Sequence, residues 1–209
     1  MAGPFPNAGV PPGRCPRCAF PPDACLCAEI PRLRTAWRFV ILRHASEIPR
    51  MTNSARWVAL ALEGTVLHDH ARDGLPASEE GLQALVGEAP AALLFPTPHA
   101  ATRPPEGLRT IVVPDATWSQ ARRMVQRLGP LRTLPRLSLP PAPAVARMRQ
   151  PTVPGGMSTL EAVAAALDLL GDAAAAARLR ALHEVAVERT LRLRGMWPPG
   201  RHRHPPYLP

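Results

Sequence analysis

Four cysteines fall within thirteen residues as Cys15-x2-Cys18-x6-Cys25-x-Cys27. A thiolate is a soft ligand, a C-x-x-C turn presents two sulfurs to one ion, and zinc takes four such donors in a tetrahedron. Four cysteines close that coordination sphere, so Cys15, Cys18, Cys25 and Cys27 are expected to hold a structural zinc. Unpaired buried cysteines or a redox pair are the competing readings, but a redox C-x-x-C opens a helix after a strand, and Cys15 stands among prolines and arginines. A second candidate is Asp115-Ala116-Thr117-Trp118, placed between an apolar run and a helical pattern. Ligands of open α/β sheets bind outside the carboxyl ends of strands, which is such a position. The plainer alternative is a capping Asp115 and a core Trp118. A third is Ser158-x-x-Glu161, a capping-box pattern whose helix start can also hold an anion on backbone N–H groups.

Positioning these groups requires a framework. Phe39-Val40-Ile41-Leu42, Ala92-Leu93-Leu94-Phe95 and Thr110-Ile111-Val112-Val113 read as short buried strands, the last two stopped by Pro96 and Pro114. Helices are predicted over 53–62, with Ala55, Val58, Ala59 and Leu62 on one face, and after the Thr110–Val113 run, with Trp118, Ala121, Met124, Val125 and Leu128 inward and Gly129-Pro130 as the stop. Residues 131–139 read as a strand interrupted by Pro135, and 140–157 as loop. Two further helices are expected over 158–170 and about 174–194. Strands alternating with helices predict an α/β core. It would occupy 33–194, between a Pro-rich segment with a metal knuckle (1–32) and a basic, Pro-rich, poorly ordered tail (195–209). Residues 1–32 hold few large aliphatic side chains, so burial alone should not fold them.

The net charge is +9, and every one of the 25 basic residues is Arg. The absence of Lys beside so much Ala and Pro fits a GC-rich coding habit, but the charge itself favours a polyanionic partner. No apolar run is long enough to span a membrane, and the start of the chain lacks the pattern of a signal peptide. A reducing, cytoplasmic setting and a nucleic-acid partner are therefore expected. Between Asp115 and Glu161 there is no acidic residue, whereas Arg122, Arg123, Arg127, Arg132, Arg136, Arg147 and Arg149 fall there. A solvated helix face usually mixes signs, so one-sign charge over this length reads as a phosphate track. His202-x-His204 reads as part of a floppy tail rather than a metal site.

Taken as a set, several separated segments resemble the DTW-domain family. They are the cysteine cluster, His44-Ala-Ser-Glu47-x2-Arg50-x2-Asn53-Ser54-Ala55-Arg56, Leu93-Leu94-Phe95-Pro96, Asp115-Ala-Thr117-Trp118-x2-Ala121 and Ser158-Thr159-Leu160-Glu161-Ala162. They occur in the family's order over roughly 15–170. The chain departs from the common pattern at Ala45 (usually Pro), Ser54 (usually Thr) and Phe95 (usually Tyr).

The resemblance implies a tRNA-uridine aminocarboxypropyltransferase with a knotted, SPOUT-like α/β domain. Such an enzyme moves the amino-acid side chain of S-adenosylmethionine to uridine N3 and leaves methylthioadenosine. The donor's side-chain methylene, not its methyl, must then face the nucleophile, a matter of orientation. Removing the N3 proton calls for a base, and Asp115 is the candidate; a carboxylate there could instead stabilise the sulfonium or hold the donor's amino group. Trp118 would offer a face to the adenine or sulfonium. Leu94, Phe95 and Pro96, with Asp115, Thr117, Ser158, Thr159 and Glu161, would complete the donor site. Arg50, Asn53, Arg56, Arg122 and Arg123 would contact tRNA. No protein partner is expected, and the pattern does not determine the oligomeric state. The alternatives are a non-catalytic zinc protein that binds structured RNA, and a methyltransferase of the same fold.

Overall fold

A computed structural model describes residues 9–71, 78–96, 103–140, 148–149 and 155–196. Five strands form one sheet: β1 (Arg38–His44), β2 (Val66–His70), β3 (Ala91–Leu94), β4 (Thr110–Asp115) and β5 (Arg136–Leu137). Their order is β2-β1-β4-β3-β5, and every neighbouring pair is parallel. The helices are α1 (Ser54–Ala61), α2 (Glu79–Val86), α3 (Trp118–Arg127), α4 (Gly129–Thr133), α5 (Thr159–Leu169) and α6 (Ala173–Leu193).

Side chains of a strand alternate between its two faces, and that alternation divides the interior here. Phe39, Ile41, Ala92, Leu94, Ile111 and Val113 pack on one face with apolar residues of α1, α5 and α6. Val40, Leu42, Leu93 and Val112 pack on the other with residues of α2, α3 and α4. Strands buried on both faces read as continuous apolar runs, which is why β1, β3 and β4 were legible as such.

The cysteine segment belongs to the first of these cores. Phe20 and Leu26 are fully buried in it, and Phe20 meets Trp57 of α1 with ring centroids 5.6 Å apart. Trp57 Nε1 donates to the Cys18 carbonyl at 2.9 Å, and Arg189 of α6 donates to the Cys25 carbonyl. Two large residues thus give the knuckle the hydrophobic anchor that its composition alone did not suggest.

Four expectations about elements need correction. β4 runs through Pro114 to Asp115, because pairing with β3 has already ended at Leu93–Val112 and a proline so near a strand end removes little of the ladder. Gly129-Pro130 does not only end α3: Pro130 occupies the first turn of α4, where its missing N–H is harmless and its fixed φ is helical. The strand expected over 131–139 shrinks to Arg136–Leu137 because α4 takes its first half. Finally, β2 and α2 had not been anticipated. The β2 sequence, Val-Leu-His-Asp-His, is half-buried at a sheet edge and lacks the apolar run of a central strand. Most of the 140–157 loop, together with Arg147, Arg201, Arg203, His202, His204 and the tail from 197, lies outside the described residues.

Candidate active site

Because the strands are parallel, their carboxyl ends share one edge of the sheet. The register sets Arg43 of β1 beside both Asp69 of β2 and Asp115 of β4, and Leu94 of β3 beside Leu137 of β5. The segments that leave this edge, with the start of α5 and part of α6, enclose a cavity of about 720 Å³. That is ample for a drug-sized ligand.

The cavity has an apolar wall and two charged clusters. Leu94, Phe95 and Pro96 continue β3 into it, and Trp118, at the start of α3, faces them. Phe95 and Trp118 stack edge to face with centroids 5.3 Å apart. Thr117 is fixed before α3: its N–H and its hydroxyl both donate to Gln120 Oε1, at 3.1 and 2.7 Å. One charged cluster centres on Glu47, which is only 2% exposed. Arg50 Nε lies 3.2 Å from Glu47 Oε1, and both terminal nitrogens of Arg149 lie 3.1 Å from Glu47 Oε2. Two guanidiniums on one carboxylate leave a net positive corner. In the other cluster Glu161 accepts from the Ser158 N–H at 2.8 Å and stands 3.7 Å from His183 Nε2.

Asp115 is buried, 7% exposed, and lies behind the lining rather than in it. Thr159, which does line the cavity, donates its hydroxyl to Asp115 Oδ1, and Asn53 Nδ2 donates to Oδ2 at 2.7 Å. Burial pushes the Asp115 carboxyl above the usual carboxylate range. The bonds from Thr159 and Asn53 oppose that rise, the nearby Glu47 adds to it, and Arg43 opposes it.

Of the anticipated donor-site residues, Leu94, Phe95, Pro96, Thr117, Trp118, Ser158, Thr159 and Glu161 meet at this one cavity. The expectation of free N–H groups at the start of α5 does not hold for most of that turn. Ser158 N is taken by Glu161, Leu160 N by Ser54 Oγ at 3.1 Å and Glu161 N by Ser158 Oγ at 3.3 Å. The residues assigned to RNA divide. Arg50 lines the cavity, and Arg122 and Arg123 are exposed on α3. Asn53 and Arg56, however, are 0% and 5% exposed. Asn53 caps α1 through Arg56 N and also accepts from Arg43, while Arg56 donates to the Ile48 carbonyl at 2.8 Å. Both side chains are thus held inside the protein, although the buried Arg56 Nε finds no hydrogen-bond partner there. The sequence reading gave no site role to Glu47, Arg149 or His183. The first lay inside a quoted motif and the second inside the arginine run; no signal marked His183.

The four cysteines converge as their spacing predicts, with all sulfurs within 4.8 Å of one another. Cys15–Cys27 and Cys18–Cys25 are 3.6 and 3.7 Å apart, close to the edge of about 3.8 Å in a tetrahedron with Zn–S near 2.3 Å. Leu26 N–H donates to Cys18 Sγ at 3.3 Å, the outer-sphere bond that orients a metal thiolate. Burial raises the Cys18 and Cys27 thiols, whereas at Cys15 hydrogen bonds from the Cys18 and Arg17 backbone and from Cys27 outweigh burial and bring the thiol to about 7. This donor set can hold a metal ion.

No described helix is long and apolar enough to cross a membrane. In a comparison with solved structures, none matches this chain. A family model described as DTW domain matches residues 13–191, which takes in the knuckle, every strand and nearly all of α6. With the cysteine cluster, the Asp115–Trp118 turn and the capped start of α5 all inside that span, the chain belongs to the DTW-domain family, the family of tRNA aminocarboxypropyltransferases.

Proposed function

We propose that the protein transfers the 3-amino-3-carboxypropyl group of S-adenosylmethionine to N3 of a uridine in tRNA and releases methylthioadenosine. The observation that carries this reading is the cavity at the carboxyl ends of β1, β3, β4 and β5, with an aromatic pair on one side and the Thr159–Asp115 bond on another. The Phe95–Trp118 corner offers a face to the adenine and to the sulfonium, which an indole attracts. The positive corner at Glu47, Arg50 and Arg149 suits the carboxylate of the donor's amino acid, which would swing the side-chain methylene toward the acceptor. Asp115 is the carboxylate that drives removal of the N3 proton and ends protonated. Exposed Arg122 and Arg123, beside Trp118 on α3, would meet tRNA phosphates, with Arg50 at the rim.

The metal of the cysteine cluster is zinc in this reading, and it is structural: four thiolates leave no open position. A knotted, SPOUT-like path and a cytoplasmic location go with the same assignment. Incubation with tRNA and S-adenosylmethionine, followed by identification of the nucleoside by-product, tests the proposal. Methylthioadenosine is expected. S-Adenosylhomocysteine would mean methyl transfer, and neither product would mean an RNA-binding protein without catalysis.

A further inference from the structure

Asp115 is buried between two residues that line the cavity, Pro114 and Ala116, with one carboxylate oxygen bonded to Asn53 and the other to Thr159. Asn53 is fully buried and does not line the cavity. Thr159 lines the cavity and donates its hydroxyl to Asp115, so it stands between the carboxylate and the cavity. We propose that Thr159 is a catalytic proton relay, taking the acceptor's proton at Oγ1 while passing its own hydroxyl proton to Asp115. This deepens the proposed function and rests on it.

A carboxylate in contact with a hydroxyl that faces the reacting group is the arrangement by which a weak acid–base side chain acts at one remove. Here Asn53 holds the carboxylate as the orienting third member. In the step, the bond from N3 to the side-chain methylene carbon forms as the C–S bond breaks, and its electron pair stays on sulfur as neutral methylthioadenosine. The N3 proton moves to Thr159 Oγ1, the Thr159 proton moves to Asp115, and Asp115 ends as a neutral acid. The positive sulfonium and the negative carboxylate disappear together, so no net charge is left behind in a poorly solvated site.

The test uses the full-length protein with tRNA, reading methylthioadenosine release in single turnover and donor affinity by calorimetry. Thr159→Val keeps the shape and removes the hydroxyl. It should lower the rate at least about a hundredfold, the usual range for lost proton transfer, with donor affinity within about threefold. Thr159→Ser should restore most of the rate. Combining Thr159→Val with Asp115→Asn should add little to either loss, because both break one unit. A wild-type rate in Thr159→Val, multiplying losses in the double variant, or a defect confined to donor affinity would overturn the relay. Should Thr159→Val not fold, the wild-type rate in mixtures of H2O and D2O decides: two protons in flight give a curved dependence on deuterium fraction, and a straight line would overturn the relay. Absence of methylthioadenosine from the wild-type reaction would sink the functional reading, and the relay with it.

Discussion

Asn53 donates its side-chain amide to Asp115 at 2.7 Å although 62 residues separate them in sequence. The bond ties the start of α1 to the end of β4, and it belongs to a longer chain of buried contacts. Arg43 reaches Asp69 at 2.7 Å and Asn53 at 3.3 Å, and Asp115 goes on to Thr159 at the start of α5. Buried polar groups are tolerated when every member is satisfied, and they then rigidify one another. The position of the carboxylate is therefore set by β1, β4 and two helix starts together.

Replacing Asp115 by Asn should separate charge from shape. The amide can accept from Asn53 and donate to Thr159, so the network survives. Turnover is expected to fall at least about a hundredfold, with donor binding retained. An unchanged rate would remove Asp115 from the chemistry.

The same group makes a pH prediction. Burial raises the Asp115 carboxyl in the folded protein, so the stability it contributes is full below its unfolded pKa and is lost as pH rises through the folded value. Asp115→Asn should hence be no less stable than wild type at neutral pH, to be checked by denaturant midpoints at about pH 3 and about pH 7, on either side of a carboxyl that starts near 3.9. Activity should move the other way, falling as pH drops through the raised pKa, because the base must be ionised. A rate independent of acid pH would argue against a carboxylate base.

Metal removal should unfold more than the knuckle. Phe20 and Leu26 share the core with α1, α5 and α6, so a strong chelator or Cys25→Ser is expected to lower the melting temperature of the whole domain. Losses of several kcal/mol are usual when a structural zinc site is broken. Elemental analysis should give one zinc per chain. A melt indifferent to the chelator would contradict the structural role.

Trp118→Ala should weaken donor binding about tenfold, in keeping with about 1–2 kcal/mol for a cation on an indole face, and Trp118→Phe should weaken it less. Arg149→Ala leaves Glu47 paired with Arg50 alone and should reduce affinity for S-adenosylmethionine more than for methylthioadenosine, which lacks the carboxylate. Equal effects on both ligands, read by calorimetry, would place the donor's amino acid elsewhere.

Arg122→Ala and Arg123→Ala should each weaken tRNA binding without touching donor affinity. Each should also reduce the slope of log affinity against log salt by about one. An unchanged slope would show that this face of α3 does not meet the phosphates.

The sequence by itself determined three things: the α/β class, a cluster of four cysteines able to hold a metal and the neighbourhood of the candidate site. Each is written locally, in apolar runs stopped by proline, in cysteine spacing and in a motif at a strand end. The four cysteines lie within thirteen residues, so one short segment of chain brings them together. The tertiary structure alone decided which charged groups face the cavity. Glu47 meets Arg149 across 102 residues, and no periodicity encodes a pairing at that distance. It also withdrew Asn53 and Arg56 from the surface and set Asp115 one side chain behind the lining, since burial depends on what packs against a residue rather than on its type. β2 escaped notice for a related reason: an edge strand is held by the neighbour it pairs with, and its own residues need not look like a strand.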